Sequence, residues 1–318
     1  MVCTKKIVLF LTLACALFLC PDASAQRIGQ LKRDVEFLSS ELCAGRGTGT
    51  AGAGEAAQLV ARRFAKYGLQ PFTPGYFTSF IAGDKIGRNV IGLQPGWGDK
   101  YIVIAAHYDN LGILEGNIYP GADSNASGVA VLNRLVTLMR YLGDNGSGLP
   151  QNIIFAALDG KQLSLAGAQD LWSRIALGRL HDPVTGKAIR AADISAVINL
   201  DILGGVSAPL TKGRKDYLIQ LGGGRFTKEL QRINLQHTAL EVGLDYYGSK
   251  GFTDLFLNRV SDQKPFREHG IYSVLFTSGI TMDTNRESDT EDKIDYDVLL
   301  RRTELIFRWI EQLLYINR

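Results

Sequence analysis

The chain has 318 residues, with 35 Lys and Arg against 32 Asp and Glu and a formal charge of +3. That near balance, with no basic run and no aromatic–basic interleaving, excludes the electrostatic footprint of a nucleic-acid binder. The length suffices for one large α/β domain or two small ones, and the sequence holds no internal repeat or low-complexity linker.

Residues 1–25 read as a secretory leader. Lys5 and Lys6 form a basic n-region, Ile7 to Cys20 an apolar h-region, and Ala23-Ser24-Ala25 a small-residue cleavage site before Gln26. The apolar run is short for a transmembrane span, and no later one is longer. The reading is an exported protein, periplasmic or extracellular. A lipid anchor through Cys15 or Cys20 is the lesser alternative, because bulky Leu19 precedes Cys20 where a small residue is expected. Three of the four cysteines leave with the leader, so only Cys43 remains and no internal disulfide is expected. Residues 26–318 are taken as one domain.

Apolar residues at helical spacing predict a helix over 27–42, through Ile28, Leu31, Val35, Leu38 and Leu42. Ala44 to Thr50 is too glycine-rich to continue it. The helical period resumes from Glu55 to Tyr67, with Gly68 as its stop. Asn89–Leu93 and Tyr101–Ala106 read as strands, the second apolar on both faces, as a covered parallel strand should be. A helix over Gly128–Leu142, a strand over Ile153–Leu158, a helix over Leu163–Leu177 and a strand over Ser195–Leu200 follow. Tyr217–Leu221 and Ser273–Thr277 are two further strands, and Asp297–Tyr315 is the last helix. Alternating strands and helices imply an α/β fold: a three-layer αβα arrangement around a mostly parallel, mixed central sheet.

Three buried strands end in polar groups: His107-Tyr108-Asp109, Asp159-Gly160-Lys161-Gln162, and Asp201. Between the first strand and its helix lies Gly121-Ala122-Asp123-Ser124-Asn125-Ala126-Ser127-Gly128. Parallel strands bring such ends to one rim, and a histidine with several acids there is the material of a zinc-hydrolase site. Each piece has a plainer reading too. The His107–Asp109 pair can be a hydrogen-bonded loop, Asp123 and Ser124 can cap a helix, and Asp201 can close a turn.

The motifs LSSELCAGRGTGTAGAGEAAQLVARRFAKYGLQP, NVIGLQPG, AAHYDNLG, GADSNASGVAVL, IIFAALDGKQLSLAGAQ, INLDILGG, SDQKPF, GIYSVLFTSG and SDTEDKIDYDVL span nearly all of residues 26–318. In them the chain resembles the M28 metallopeptidases, zinc aminopeptidase-type enzymes related to the glutaminyl cyclases. The resemblance implies their zinc-exopeptidase-like fold and five metal positions: a His, a bridging carboxylate, a Glu, an Asp and a late His. A second Glu, just before the ligand Glu, is the general base.

His107 and Asp201 match the pattern. Ser124 stands at the bridge, Gln162 at the ligand Glu, Lys161 at the base, and Asn285 at the late His, with Arg286 and Glu287 where Thr and Pro are common. A hydroxyl and two amides are poor zinc donors, and Gln162 cannot act as a base. An ammonium beside a dication is repelled by several kcal/mol at a partly buried site. Lys161 is therefore expected to take over from the missing metal and to pair with Asp201 or Asp109.

The expected function is a catalytically inactive, exported pseudopeptidase without a cofactor. Its retained pocket, with Asp109, Asp123, Lys161 and Arg286, would take a peptide, a small polar ligand or a protein partner. The alternative is an active zinc-dependent aminopeptidase with an altered site, built on His107, Asp201 and Asp109 or helped by His269, the spare histidine near the late loop. His181 and His237 read as peripheral. A third reading, a hydrolase using a Ser124–Lys161 pair, lacks a GxSxG-type elbow in support.

Overall fold

The computed structural model describes residues 21–146 and 148–316. Met1–Cys20, most of the expected leader, lie outside the described residues. The helices are α1 (Pro21–Leu38), α2 (Ala51–Lys66), α3 (Gly128–Asp144), α4 (Ala166–Ala176), α5 (Thr227–His237), α6 (Lys250–Asn258), α7 (Lys264–Arg267) and α8 (Tyr296–Ile316). The strands are β1 (Gln70–Pro71), β2 (Phe77–Ala82), β3 (Lys85–Gln94), β4 (Tyr101–His107), β5 (Gly112–Leu114), β6 (Asn117–Tyr119) and β7 (Asn152–Leu158). They continue with β8 (Leu180–His181), β9 (Ala188–Ile189), β10 (Ile194–Leu200), β11 (Tyr217–Leu221), β12 (Glu241–Gly243) and β13 (Ser273–Thr277). No helix among the described residues is long and apolar enough to cross a membrane.

A nine-stranded sheet runs β1-β3-β7-β4-β10-β13-β11-β12, with β2 paired to β3 off that path. Its centre is parallel, β7 to β4, β4 to β10 and β10 to β13, whereas β3 and β11 join antiparallel. Side chains alternate across each central strand. Ile102, Ile104 and Ala106 of β4 and Ile153, Phe155 and Ala157 of β7 enter a core with α1, α2, α3, α5 and α8. Val103, Ala105, Ile154, Ala156 and Leu158 enter the opposite core, against Ala168, Leu171 and Ile175 of α4 and Phe266. This is the expected mixed sheet flanked by helices. Burial of each such aliphatic chain stabilises the fold by about 1.5–3 kcal/mol.

The register sets the site. His107 pairs with Leu158, Asn199 with Ala105, and Leu200 with Phe276. The carboxyl ends of β4, β7, β10 and β13 thus share one rim, where open α/β sheets carry their chemistry.

Several element boundaries differ from expectation for local reasons. The first helix stops at Leu38, because the Ser39 and Ser40 hydroxyls donate to the Val35 and Phe37 carbonyls and compete with the helix ladder. The second starts at Ala51 rather than Glu55, since the Thr50 side chain caps it by accepting from the Ala53 amide at 3.2 Å. The fourth starts only at Ala166, after a tight turn in which Ser164 and Leu165 take positive φ. Strand β3 begins at Lys85, earlier than the Asn89 expected, because β2 pairs along its first half.

Candidate functional site

The rim is organised by Arg46, in the connection between α1 and α2, which is buried and has no exposed surface. It donates to the carbonyls of Tyr108 (2.7 Å), Pro120 (2.6 Å) and Gly121 (2.8 Å), and also to that of Leu38. One guanidinium therefore ties α1, the segment after His107 and the entrance of the 121–128 turn together. Its neighbour Gly45 has φ +68° and lies where a Cβ would come within 2.4 Å of the Gly112 carbonyl, so only glycine fits.

Asn125 holds the same turn from the other side. Its amide nitrogen donates to the carbonyls of His107 and Leu200, and its oxygen accepts from the Ile202 and Gly128 amides. The peptide bond between Ser124 and Asn125 is cis. The Asp289 carboxylate accepts from the Asp123 and Ser124 amides at 2.7 and 3.0 Å. Burial pushes its pKa up to about 6, with Asp123 nearby adding to that and the amides opposing it.

Within this frame lies a buried group of His107, Asp201 and Asp262, whose potential donor atoms all fall within 4.8 Å of one another. His107 Nε2 is 3.2 Å from Asp201 Oδ1 and its Nδ1 is 3.0 Å from the Asp109 carbonyl. Both ring nitrogens thus face acceptors, which suits the protonated imidazolium. Burial and the Lys161 charge push the other way, but the Asp109 and Asp201 contacts prevail and the His107 pKa is raised to about 9.

The Lys161 ammonium donates to Asp201 Oδ2 and lies 4.0 Å from Asp262 Oδ2. Burial works against its charge; Asp201, Asp262 and Asp109 outweigh burial and raise its pKa above the usual lysine value. Burial alone would raise the Asp201 pKa, yet Lys161 and His107 hold it well below the usual carboxylate range. His107, Lys161 and Asp201 are thus charged at neutral pH, whereas burial, which Lys161 and His107 only partly offset, raises the Asp262 pKa. Of the two partners foreseen for Lys161, the structure selects Asp201. Asp109 is turned to other work: it accepts from the Gln162 amide at 3.2 Å and lies 3.6 Å from His107 Nδ1.

Other residues singled out in the sequence stand apart. Asp123 is buried and accepts from the Gly204 amide at 2.7 Å and from the Ser127 hydroxyl, so it fastens the turn after β10. Gln162, Asn285 and Arg286 are exposed, Asn285 in a left-handed conformation with φ +60°. Among the described residues, Lys161 Nζ reaches Asp201 and Asp262 rather than Ser124, which removes the contact that a Ser124–Lys161 couple would need. His269 stacks on Trp172 at 4.5 Å and faces the Pro265 carbonyl, just before the amino end of β13 and hence at the opposite rim. As a spare ligand it is excluded. Cys43 is buried and free.

Asp262 is the residue the sequence reading missed. It sits in Ser261-Asp262-Gln263, within the SDQKPF motif ahead of α7. The available signal was its place in a motif of the resemblance; the surrounding stretch is polar and reads as a surface loop, although Ser261, Asp262 and Gln263 are buried.

The donor set can be tested against zinc. The two-metal arrangement implied by the resemblance would need Ser124, Gln162 and Asn285 as ligands, one hydroxyl and two exposed amides. These do not fit. His107, Asp201 and Asp262 are suitable donor types, but the Lys161 ammonium contacts one of the carboxylates and stands beside the other. With that cation in place the residues do not fit a dication either.

Comparison with known proteins agrees with the architecture. The structure superposes on LapB from Legionella pneumophila with a TM-score of 0.66 and 19% identity, over 90% of this chain and 72% of that one. It superposes on a glutaminyl cyclase from an Acidobacteriales bacterium with a TM-score of 0.62 and 19% identity, over 91% and 94% of the two chains. In sequence it is 24% identical to the BOS complex subunit ncln of Danio rerio, over 89% of this chain and 51% of that protein. It is also 24% identical to leucine aminopeptidase 1 of Aspergillus oryzae, over 72% and 56%. The chain spans about half the length of these curated relatives. Residues 89–310 match the sequence profile of peptidase family M28, and with that match covering most of its length the chain belongs to this family.

Proposed function

We propose that this M28 family member does not hydrolyse peptides and acts as a binding or assembly module built on the peptidase fold. The observation that carries this reading is the Lys161 ammonium, seated on Asp201 where the family's pattern calls for a general base. A lysine with a raised pKa stays protonated at neutral pH and cannot take a proton from water. The zinc positions filled by Ser124, Gln162 and Asn285 support the same conclusion.

The partner class we favour is another protein. One of the relatives is itself a subunit of a complex, and a fold by itself leaves its use open. We further propose that residues 26–318 act as one domain after export, once the leader has been removed. The second reading, a single-metal aminopeptidase, draws on the His107–Asp201–Asp262 group.

Purified protein assayed on aminoacyl-nitroanilides, with and without zinc and chelator, separates the two. No turnover under any condition and zinc far below one equivalent are expected. Chelator-sensitive turnover would overturn the pseudopeptidase reading. Affinity capture followed by reconstitution with the purified candidate tests assembly; a chain that forms no complex would count against the module.

A further inference from the structure

Asp262 is 2% exposed, and neither of its carboxylate oxygens has a hydrogen-bond partner. A buried carboxylate left in that state is costly. Its nearest charge partner is the Lys161 ammonium at 4.0 Å, beyond hydrogen-bond reach. One of its oxygens lies within 4.8 Å of donor atoms of His107 and Asp201. One imidazole and two carboxylates form a donor set for a borderline divalent ion such as Zn²⁺ or Co²⁺.

From this geometry we infer that Lys161 and a single divalent cation are mutually exclusive occupants of one buried site made by His107, Asp201 and Asp262. The inference rests on the reading that Lys161 takes the place of a metal, and it adds which site that is. Asp262 is outside the ligand positions that the family pattern implies, and Ser124 has no part in the set. The site shares His107 and Asp201 with the implied pair and differs from it in taking Asp262 in place of the bridge. Lys161 lies in the turn between β7 and α4, so its side chain can be changed without altering a strand or a helix.

The test uses the whole protein carrying Lys161→Met, which keeps the length of the side chain and removes its charge. Zn²⁺ binding is followed by calorimetry and Co²⁺ binding by visible absorption, beside the unsubstituted protein. One equivalent is expected to bind at least about a hundredfold more tightly than to the unsubstituted chain, since a neighbouring positive charge has been removed. Adding Asp262→Asn should abolish that gain, and adding Ser124→Ala should leave it intact. If Lys161→Met is unfolded without metal, cation-induced refolding monitored by circular dichroism reads the same equilibrium.

A Lys161→Met protein that neither binds nor refolds with metal overturns the inference. A gain that survives Asp262→Asn, or that disappears with Ser124→Ala, overturns it as well. Stoichiometric zinc with turnover in the unsubstituted protein would sink the pseudopeptidase reading together with the inference, whereas failure of the Lys161→Met series alone sinks only the inference, so the two failures are distinguishable.

Discussion

His107, Asp201 and Asp262 lie buried at the ends of β4 and β10 and ahead of α7, whereas Asn285 and Arg286 stand exposed on the loop after β13. The sequence resemblance aligns both regions with one catalytic pattern, and their residues differ from it in different ways. In the buried region a charge cannot be left without a counter-charge, because water is not there to solvate it. The replacement found there is accordingly another cation, Lys161, on the same carboxylate. In the exposed region water satisfies any polar side chain, so an amide can stand at the late ligand position at little cost to the fold. Burial decides which substitutions need compensation.

The largest expected effect breaks the buried region directly. Asp201→Asn leaves Lys161 and His107 without their shared counter-ion and should destabilise the protein by roughly 3–5 kcal/mol, measured by denaturant unfolding. A loss below about 1 kcal/mol would mean that the cluster is more hydrated than its burial implies.

Next comes the clamp that frames it. Arg46→Met removes the donor to four carbonyls and should cost roughly 3 kcal/mol or more, with equilibrium unfolding again as the readout. Unchanged stability would show that the rim holds its shape without this residue.

A comparable contribution is expected to follow pH. The His107 pKa is raised to about 9 from an ordinary 6.5, so its charge favours the folded state by about 3 kcal/mol. That contribution is fully present below about pH 6.5 and is lost as pH rises through about 9. Unfolding free energies of the unsubstituted chain and of His107→Gln should converge across this window. NMR sharpens the comparison: His107 should remain an imidazolium at pH 7.5, while His237 should be neutral. Burial, Arg308 and Arg232 all lower the His237 pKa.

The smallest effect belongs to the exposed loop. Arg286→Ala should change stability by less than about 0.5 kcal/mol. A loss several times larger would erase the contrast between the two regions.

Much of the fold was legible in the residues themselves. β4, β7 and β10 are apolar on both faces, and the helices between them repeat at the helical period, because covering a parallel sheet demands both patterns. The departures at Ser124, Lys161, Gln162 and Asn285 were legible too, since donor chemistry is a property of the residue type. The β2–β3 pairing and α5 to α7 were less so, their patterns being short.

What the sequence determined by itself was therefore the layered sheet, the rim to which its polar strand ends converge, and the absence of strong ligands at the matched positions. Only the tertiary structure decided the partners. Asp262 is held near His107 by its neighbour Gln263, whose side-chain oxygen accepts from Asn199 of β10, Lys161 takes Asp201 rather than Asp109, Asp123 is spent on the Gly204 amide, and His269 faces away at the opposite rim. The physical reason is that residue type limits what a side chain can donate or accept, while long-range strand register and burial determine which group it meets and whether water can take that group's place.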